Sequence, residues 1–116
     1  EENAFSGLEF SLKYLDLEQN KIEFVRSYYF NNLFYLKQLN LKNNKISMIH
    51  SKAFSNLSLL ETLNLSDNCV FQLDAILFEN LYDLEQLFLS NNLIKNLDRK
   101  IFKNFKKLYT LKLDNN

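Results

Sequence analysis

The fold is decided by residues 36–57, LKQLNLKNNKISMIHSKAFSNL, in which leucines and one asparagine stand at fixed spacings. Leu36, Leu39 and Leu41 come first, and Asn44 follows them. The same pattern restarts at Leu60, 24 residues after Leu36. A repeat with a period in the twenties is typical of a solenoid, in which each repeat forms one coil.

Copies of this unit fill most of the 116 residues. They begin at Leu12, Leu36, Leu60, Leu84 and Leu108, and the fifth copy is incomplete. Residues 1–11 read as the tail of a preceding copy, joined to Leu12 with one extra residue. We therefore expect residues 1–116 to form a single repeat domain, and a segment of a longer protein.

The L-x-x-L-x-L part of each copy predicts a β-strand, because its last two leucines alternate with polar residues. The predicted strands are residues 14–17, 38–41, 62–65, 86–89 and 110–113. A coil can bury its leucines only against a neighbouring coil, so stacking creates the core. One phenylalanine recurs in each of the four full copies, and we expect these residues to stack along the convex side: Phe30, Phe54, Phe78 and Phe102.

This pattern resembles the leucine-rich repeat family in its 24-residue form, which is common in extracellular proteins. The resemblance implies an α/β-type, right-handed solenoid. Its concave side is a parallel β-sheet of about five strands, and its convex side consists of loops and short helical turns. It also implies an asparagine ladder with a structural role, formed by Asn20, Asn44, Asn68, Asn92 and Asn116. Side-chain amides suit that role because they both donate and accept hydrogen bonds.

Composition argues against several function classes. The formal net charge is zero, which disfavours binding to nucleic acid or an anionic membrane through bulk charge. No apolar run approaches the roughly 18 residues of a membrane-spanning helix, so we expect no membrane insertion by this segment.

The sequence offers no recognisable catalytic or metal site. His50 is the only histidine, and a single glycine cannot supply a phosphate-binding loop. We therefore expect a non-enzyme without cofactor or metal, with a nucleophile formed by Cys69 and His50 as a remote alternative. Cys69 is the only cysteine and should face solvent, either as a free thiol or in an intermolecular bridge.

Two glycosylation sequons begin at Asn56 and Asn64, about the number that chance predicts for this composition. Asn64 lies on the predicted sheet face, where a glycan would block binding, so Asn56 is the better candidate. Asparagine recurs at the position of Asn56 in every copy, which also indicates a structural loop role.

The polar positions between the leucines should face the concave side and form the candidate binding surface. Its members are Tyr14, Asp16, Glu18, Asn40, Lys42, Asn64, Phe88 and Lys112. Phe88 stands out as an aromatic residue among polar equivalents, and such residues often anchor partners. Five short strands cover only about 300 Å², whereas a standard interface buries about 800 Å² per partner. Further repeats or a second copy would have to contribute.

Two other surfaces have open interpretations. Large side chains occupy the last positions of successive repeats, where they form a lateral interface or pack within the coil: Phe34, Tyr35, Leu59 and Tyr82. A basic cluster near the end of the chain is typical of a solvated face: Lys100, Lys103, Lys106 and Lys107. Homo- or hetero-oligomers could form through the flank or through exposed ends.

These features favour a protein-binding recognition module from an extracellular leucine-rich repeat protein or receptor ectodomain. The resemblance adds adhesion and innate immunity, including Toll-like receptors, as settings. The alternatives are a structural spacer without its own ligand and a cytoplasmic scaffold with the same fold.

Overall fold

The computed structural model describes residues 4–116, so the first three residues of the predicted preceding tail lie outside the described part. Five parallel strands form one sheet in the order β1-β3-β5-β6-β7. They are β1 (Tyr14–Asp16), β3 (Gln38–Asn40), β5 (Thr62–Asn64), β6 (Gln86–Phe88) and β7 (Thr110–Lys112). Each strand pairs with its neighbour 24 residues away, as Leu15 does with Leu39. The predicted solenoid with a five-stranded parallel sheet is confirmed.

The strands end one residue earlier than predicted. In the first three coils, the last strand residue accepts a hydrogen bond from a backbone N–H two residues later. Asp16 Oδ1 accepts from Glu18 N at 2.9 Å, and Asn64 Oδ1 accepts from Ser66 N at 3.0 Å. These bonds turn the chain away from the sheet.

A second, two-stranded parallel sheet was not predicted. It joins β2 (Phe24–Val25) to β4 (Met48–Ile49) in the first two coils. The rest of the convex side consists of turns and one short 3₁₀ helix, Arg99–Phe102, in the described residues. Asp98 caps this helix by accepting a hydrogen bond from Lys100 N at 2.9 Å. Short helical turns on the convex side were expected.

The core lies between the two sides of the coils and is continuous along the stack. Leu36, Leu60 and Leu84 are fully buried at the entry to their strands. The equivalent residues of the first and last coils are only partly buried, because they have a neighbouring coil on one side. Each buried leucine contributes roughly 1.5–3 kcal/mol, so stability depends on stacking.

The repeated asparagines join successive coils. Asn68 Nδ2 lies 3.0 Å from Leu41 O of the preceding coil and 3.1 Å from Leu65 O of its own coil. Its Oδ1 accepts from Ile46 N of the preceding coil at 2.9 Å. Asn44, Asn92 and Asn116 make the same three kinds of bond. Asn20 bonds only carbonyls of its own coil among the described residues.

The residue before each of these asparagines has a left-handed backbone. The φ angles lie between 54° and 57° at Gln19, Asn43, Asp67, Asn91 and Asn115. Asparagine and aspartate tolerate this conformation better than most residues, because their short side chains bond locally. Glutamine has no such advantage, so Gln19 is the least suited residue of the column.

The phenylalanine stack differs from the prediction in the fourth coil. Phe30, Phe54 and Phe78 stack with centroid separations of 6.2 and 6.3 Å. The next ring against Phe78 is Phe105, at 5.9 Å, and Phe102 packs beside Phe105 instead. Phe105 replaces the leucine of the other coils, so a second ring competes for the same space.

Candidate functional site

The concave sheet presents an open groove across its first three strands. The groove has a volume of about 350 Å³ and is lined by Tyr14, Leu15, Asp16, Gln38, Leu39, Asn40, Thr62 and Asn64. Tyr14, Gln38 and Thr62 form one row, because the parallel register places them side by side. The buried leucines beneath them hold the strands, so the polar row stands on a rigid base.

The two aromatic candidates differ in exposure. Tyr14 is 62% exposed at the first strand and offers most of its ring to a partner. Phe88 is half-buried between Asn64 and Lys112 in the register, so it is less exposed than expected. Tyr14 therefore exposes more of its ring on this face than Phe88 does.

Most charged groups of this face are occupied with one another. Lys42 Nζ lies 3.9 Å from Glu18 and 3.8 Å from Asp67, so it bridges acidic residues of two other coils. Asn40 Nδ2 donates to Glu18 Oε2 at 3.0 Å, and Asn91 Nδ2 donates to Asp67 Oδ1 at 2.6 Å. This network lies along the edge where the strands end, and its one lysine faces two carboxylates, so it carries a net negative charge.

In the last two coils, the residues equivalent to Glu18 and Lys42 are also in contact with each other. Ser90 Oγ donates to Asp114 Oδ1 at 2.7 Å. That hydrogen bond, together with one from the backbone N–H of Asp114, lowers the pKa of the Asp114 carboxyl. The positive charge of Lys112, whose side chain is exposed, lowers this pKa further.

Several uncharged groups in the groove have no hydrogen-bond partner among residues 4–116. They are the Tyr14 hydroxyl, the Gln38 amide, the Thr62 hydroxyl and the Nδ2 group of Asn64. Together they provide donors and acceptors without charge, next to an exposed aromatic ring. The sequence placed all four residues on the concave face but selected only Tyr14 and Asn64 as binding candidates, and the groove adds Gln38 and Thr62.

The glycosylation candidates are both engaged in hydrogen bonds. Asn56 is exposed, and its Nδ2 donates to Asn31 O of the preceding coil at 2.7 Å. Asn80 and Asn104 make the equivalent bond to Ser55 O and Glu79 O. The convex asparagines thus form a second series of bonds between coils.

The residues considered for catalysis have ordinary surroundings. His50 is exposed, and its Nδ1 accepts from Lys52 N at 3.1 Å. Cys69 is exposed and free. Among residues 4–116, no group of His, Cys, Asp or Glu is arranged to hold a metal ion, and no helix has the length and apolarity to cross a membrane.

Comparison with known proteins agrees with this architecture. The family described as "Leucine rich repeat" matches residues 10–70 and 60–116. A solved structure described as "Crystal structure of TLR13-ssRNA13 complex" is similar, with a TM-score of 0.83 and 31% sequence identity. The match covers 88% of this chain and 15% of that chain, so this chain spans a small part of its neighbour's length. No curated protein matches the sequence. On the family match, which extends over nearly the whole sequence, the chain belongs to the leucine-rich repeat family.

Proposed function

We propose that this chain is a protein-recognition module that binds its partner on the concave face, across the first three strands. The observation that carries the proposal is the row Tyr14, Gln38 and Thr62, whose polar atoms have no partner among the described residues. The family as a whole serves as a scaffold for protein interaction, which supports the same conclusion.

The partner's chemistry follows from the groove. Carboxamides pair well with peptide groups, because each has one hydrogen-bond acceptor and N–H donors. The row Tyr14, Gln38 and Thr62 carries no charge, and Lys42 at the strand ends is engaged by Glu18 and Asp67. We therefore propose an uncharged, polar stretch of a partner protein, with an apolar side chain placed against the Tyr14 ring.

The description of the similar structure names a single-stranded RNA, but we do not propose that this chain binds RNA. RNA affinity depends on cationic groups that release counterions from phosphates. Here the net charge is zero, and Lys42 on the concave face is shared between Glu18 and Asp67. A protein partner fits this surface better.

We also propose an extracellular setting, as a segment of a secreted protein or receptor ectodomain, in adhesion or innate immunity. The support is the 24-residue repeat form and the likeness to a Toll-like receptor structure. Expression through a secretory pathway tests one part of this proposal. We expect an added glycan that Asn56→Gln removes, and an unmodified mass would count against it.

The binding proposal is tested by affinity capture with three baits followed by quantitative mass spectrometry. The baits are the unchanged chain, a double variant Tyr14→Ala/Thr62→Arg, and the convex control Lys52→Ala. We expect a set of proteins captured by the unchanged chain and the control and lost from the double variant. Equal capture by all three baits would favour a structural spacer.

A further inference from the structure

A second exposed surface lies beside the concave sheet, on the segments that lead into the strands. We call it the strand-entry flank, and its apolar part consists of Phe10, Phe34, Tyr35 and Leu59. Phe10 is 78% exposed and the other three are between 38% and 47% exposed. The Phe10 ring centroid lies 6.3 Å from that of Phe34 and 6.4 Å from that of Tyr35. Phe10, Phe34 and Tyr35 thus form one patch on the surface rather than packing inside the coil, and Leu59 holds the position of Tyr35 in the next coil.

The exposed apolar area of this patch is comparable to that of the centre of a protein interface. A fully exposed aromatic side chain contributes about 200 Å², so the exposed fractions of these four residues give roughly 400 Å². Patches of about 300–600 Å² on a monomer are often functional. A standard interface buries about 800 Å² on each partner, so this patch would supply about half of one side. The remainder must come from its polar border.

That border has an ordered charge pattern. The residue preceding each of the first four strands of the large sheet is charged, in the order Lys13, Lys37, Glu61, Glu85. The strand register places these residues side by side in successive coils. Lys37 Nζ and Glu61 Oε1 form an ion pair of 2.6 Å at the centre of the column. Two positive charges are thus followed by two negative charges in this column, and the neighbouring flank positions add an ion pair between Lys107 Nζ and Asp83 Oδ1 of 2.7 Å.

This order is self-complementary when a second copy runs in the opposite direction. A two-fold axis between the second and third coils would place Lys13 opposite Glu85 of the second copy, and Lys37 opposite Glu61. The same axis would bring Tyr35 opposite Leu59 and Phe10 opposite Tyr82, which is 48% exposed. A two-fold interface uses the same surface on both subunits and requires this kind of matching.

We propose that the strand-entry flank binds a second copy of this chain in an antiparallel, two-fold symmetric dimer. A parallel side-by-side arrangement would place Lys13 beside Lys13 and Glu85 beside Glu85, and such like-charge contacts are unfavourable. The border residues Lys13, Lys37 and Glu61 directly precede the groove residues Tyr14, Gln38 and Thr62, so the dimer interface would adjoin the concave groove.

Sedimentation equilibrium of the 116-residue chain tests the proposal directly. We expect the average mass to rise from 13.9 kDa towards twice that value as the concentration increases. Two charge variants follow: Glu61→Lys/Glu85→Lys makes all four border positions basic, and Lys13→Glu/Lys37→Glu makes them all acidic. Each variant alone should dimerise at least about tenfold more weakly, because like charges then meet across the axis.

Mixing the two charge variants tests whether the charged border lies in the interface. An equal mixture should form a heterodimer, because each basic position then faces an acidic one, and this recovery shows that both variants are folded. The control Met48→Ser/Phe71→Ser removes two exposed apolar side chains outside the flank and should dimerise as the unchanged chain does. A chain that stays monomeric at all concentrations, or a mixture that does not associate, would overturn the proposal.

Discussion

Replacing the asparagine of a central coil should destabilise the solenoid more than the same replacement at its first coil. Asn68 is 8% exposed and makes four hydrogen bonds, two to the preceding coil and two within its own coil. In Asn68→Ala, the carbonyls of Leu41, Leu65 and Ser66 each keep another donor. Ile46 N–H loses the only acceptor it has among the described residues.

The magnitude follows from this difference. A buried donor without a partner costs about 1–3 kcal/mol, and losing the second bonds to three carbonyls adds about 1 kcal/mol. We therefore expect Asn68→Ala to lower the free energy of unfolding by about 2–4 kcal/mol. Asn20→Ala is the matched control. Asn20 is exposed and leaves no orphaned N–H, so its replacement should cost less than about 1 kcal/mol.

Urea denaturation followed by circular dichroism measures both variants. The comparison is valid if each unfolds in a single transition with the same dependence on urea as the unchanged chain. Equal losses for Asn68→Ala and Asn20→Ala would refute the reasoning, because the bonds between coils would then contribute nothing beyond those within a coil.

Three further predictions concern single positions. Ser90→Ala should raise the pKa of Asp114 towards its ordinary value of about 3.9 in an NMR titration. Because folding lowers this pKa, the stabilising effect is complete above the unfolded value and is lost as the pH falls through the folded value. The variant should therefore lose less stability in acid, and an unchanged pKa would contradict the assignment. Gln19→Gly should raise the melting temperature, since glycine adopts φ near 56° without strain, whereas Asn43→Gly should change it less. Phe54→Ala should cost about 3–5 kcal/mol in denaturant unfolding, because the ring is fully buried between two others, and a loss below 1 kcal/mol would be inconsistent with the stack.

The repeat spacing predicted five strands at equivalent positions of successive coils, and the family resemblance implied that they form a parallel sheet; the structure has both. The leucines at positions such as 39, 63 and 87 occur at the same place in each copy, so stacking admits one alignment. The strand ends were less predictable, because they depend on side-chain bonds such as that from Lys42 N to Asn40. The second sheet was missed, because it involves two residues in each of only two coils.

The other differences between the prediction and the structure have local causes. Phe102 matched the column of recurring phenylalanines, but Phe105 also carries a ring and occupies the place against Phe78. The left-handed residues could have been found, because Asn43, Asp67 and Asn91 recur just before the ladder. The repeat pattern placed Tyr14 on the concave face but could not predict how exposed its side chain is. For Phe88, the predicted exposure was too high. Exposure depends on neighbouring coils rather than on the repeat.

Site-specific photo-crosslinking tests the central claim most directly. A benzoylphenylalanine at Gln38 places the probe in the middle of the concave groove, and the same residue at Lys52 places it on the convex side as a control. With a protein recovered by affinity capture, we expect a crosslink from position 38 that Tyr14→Ala weakens, and none from position 52. A crosslink from position 52 alone would contradict recognition through the concave face.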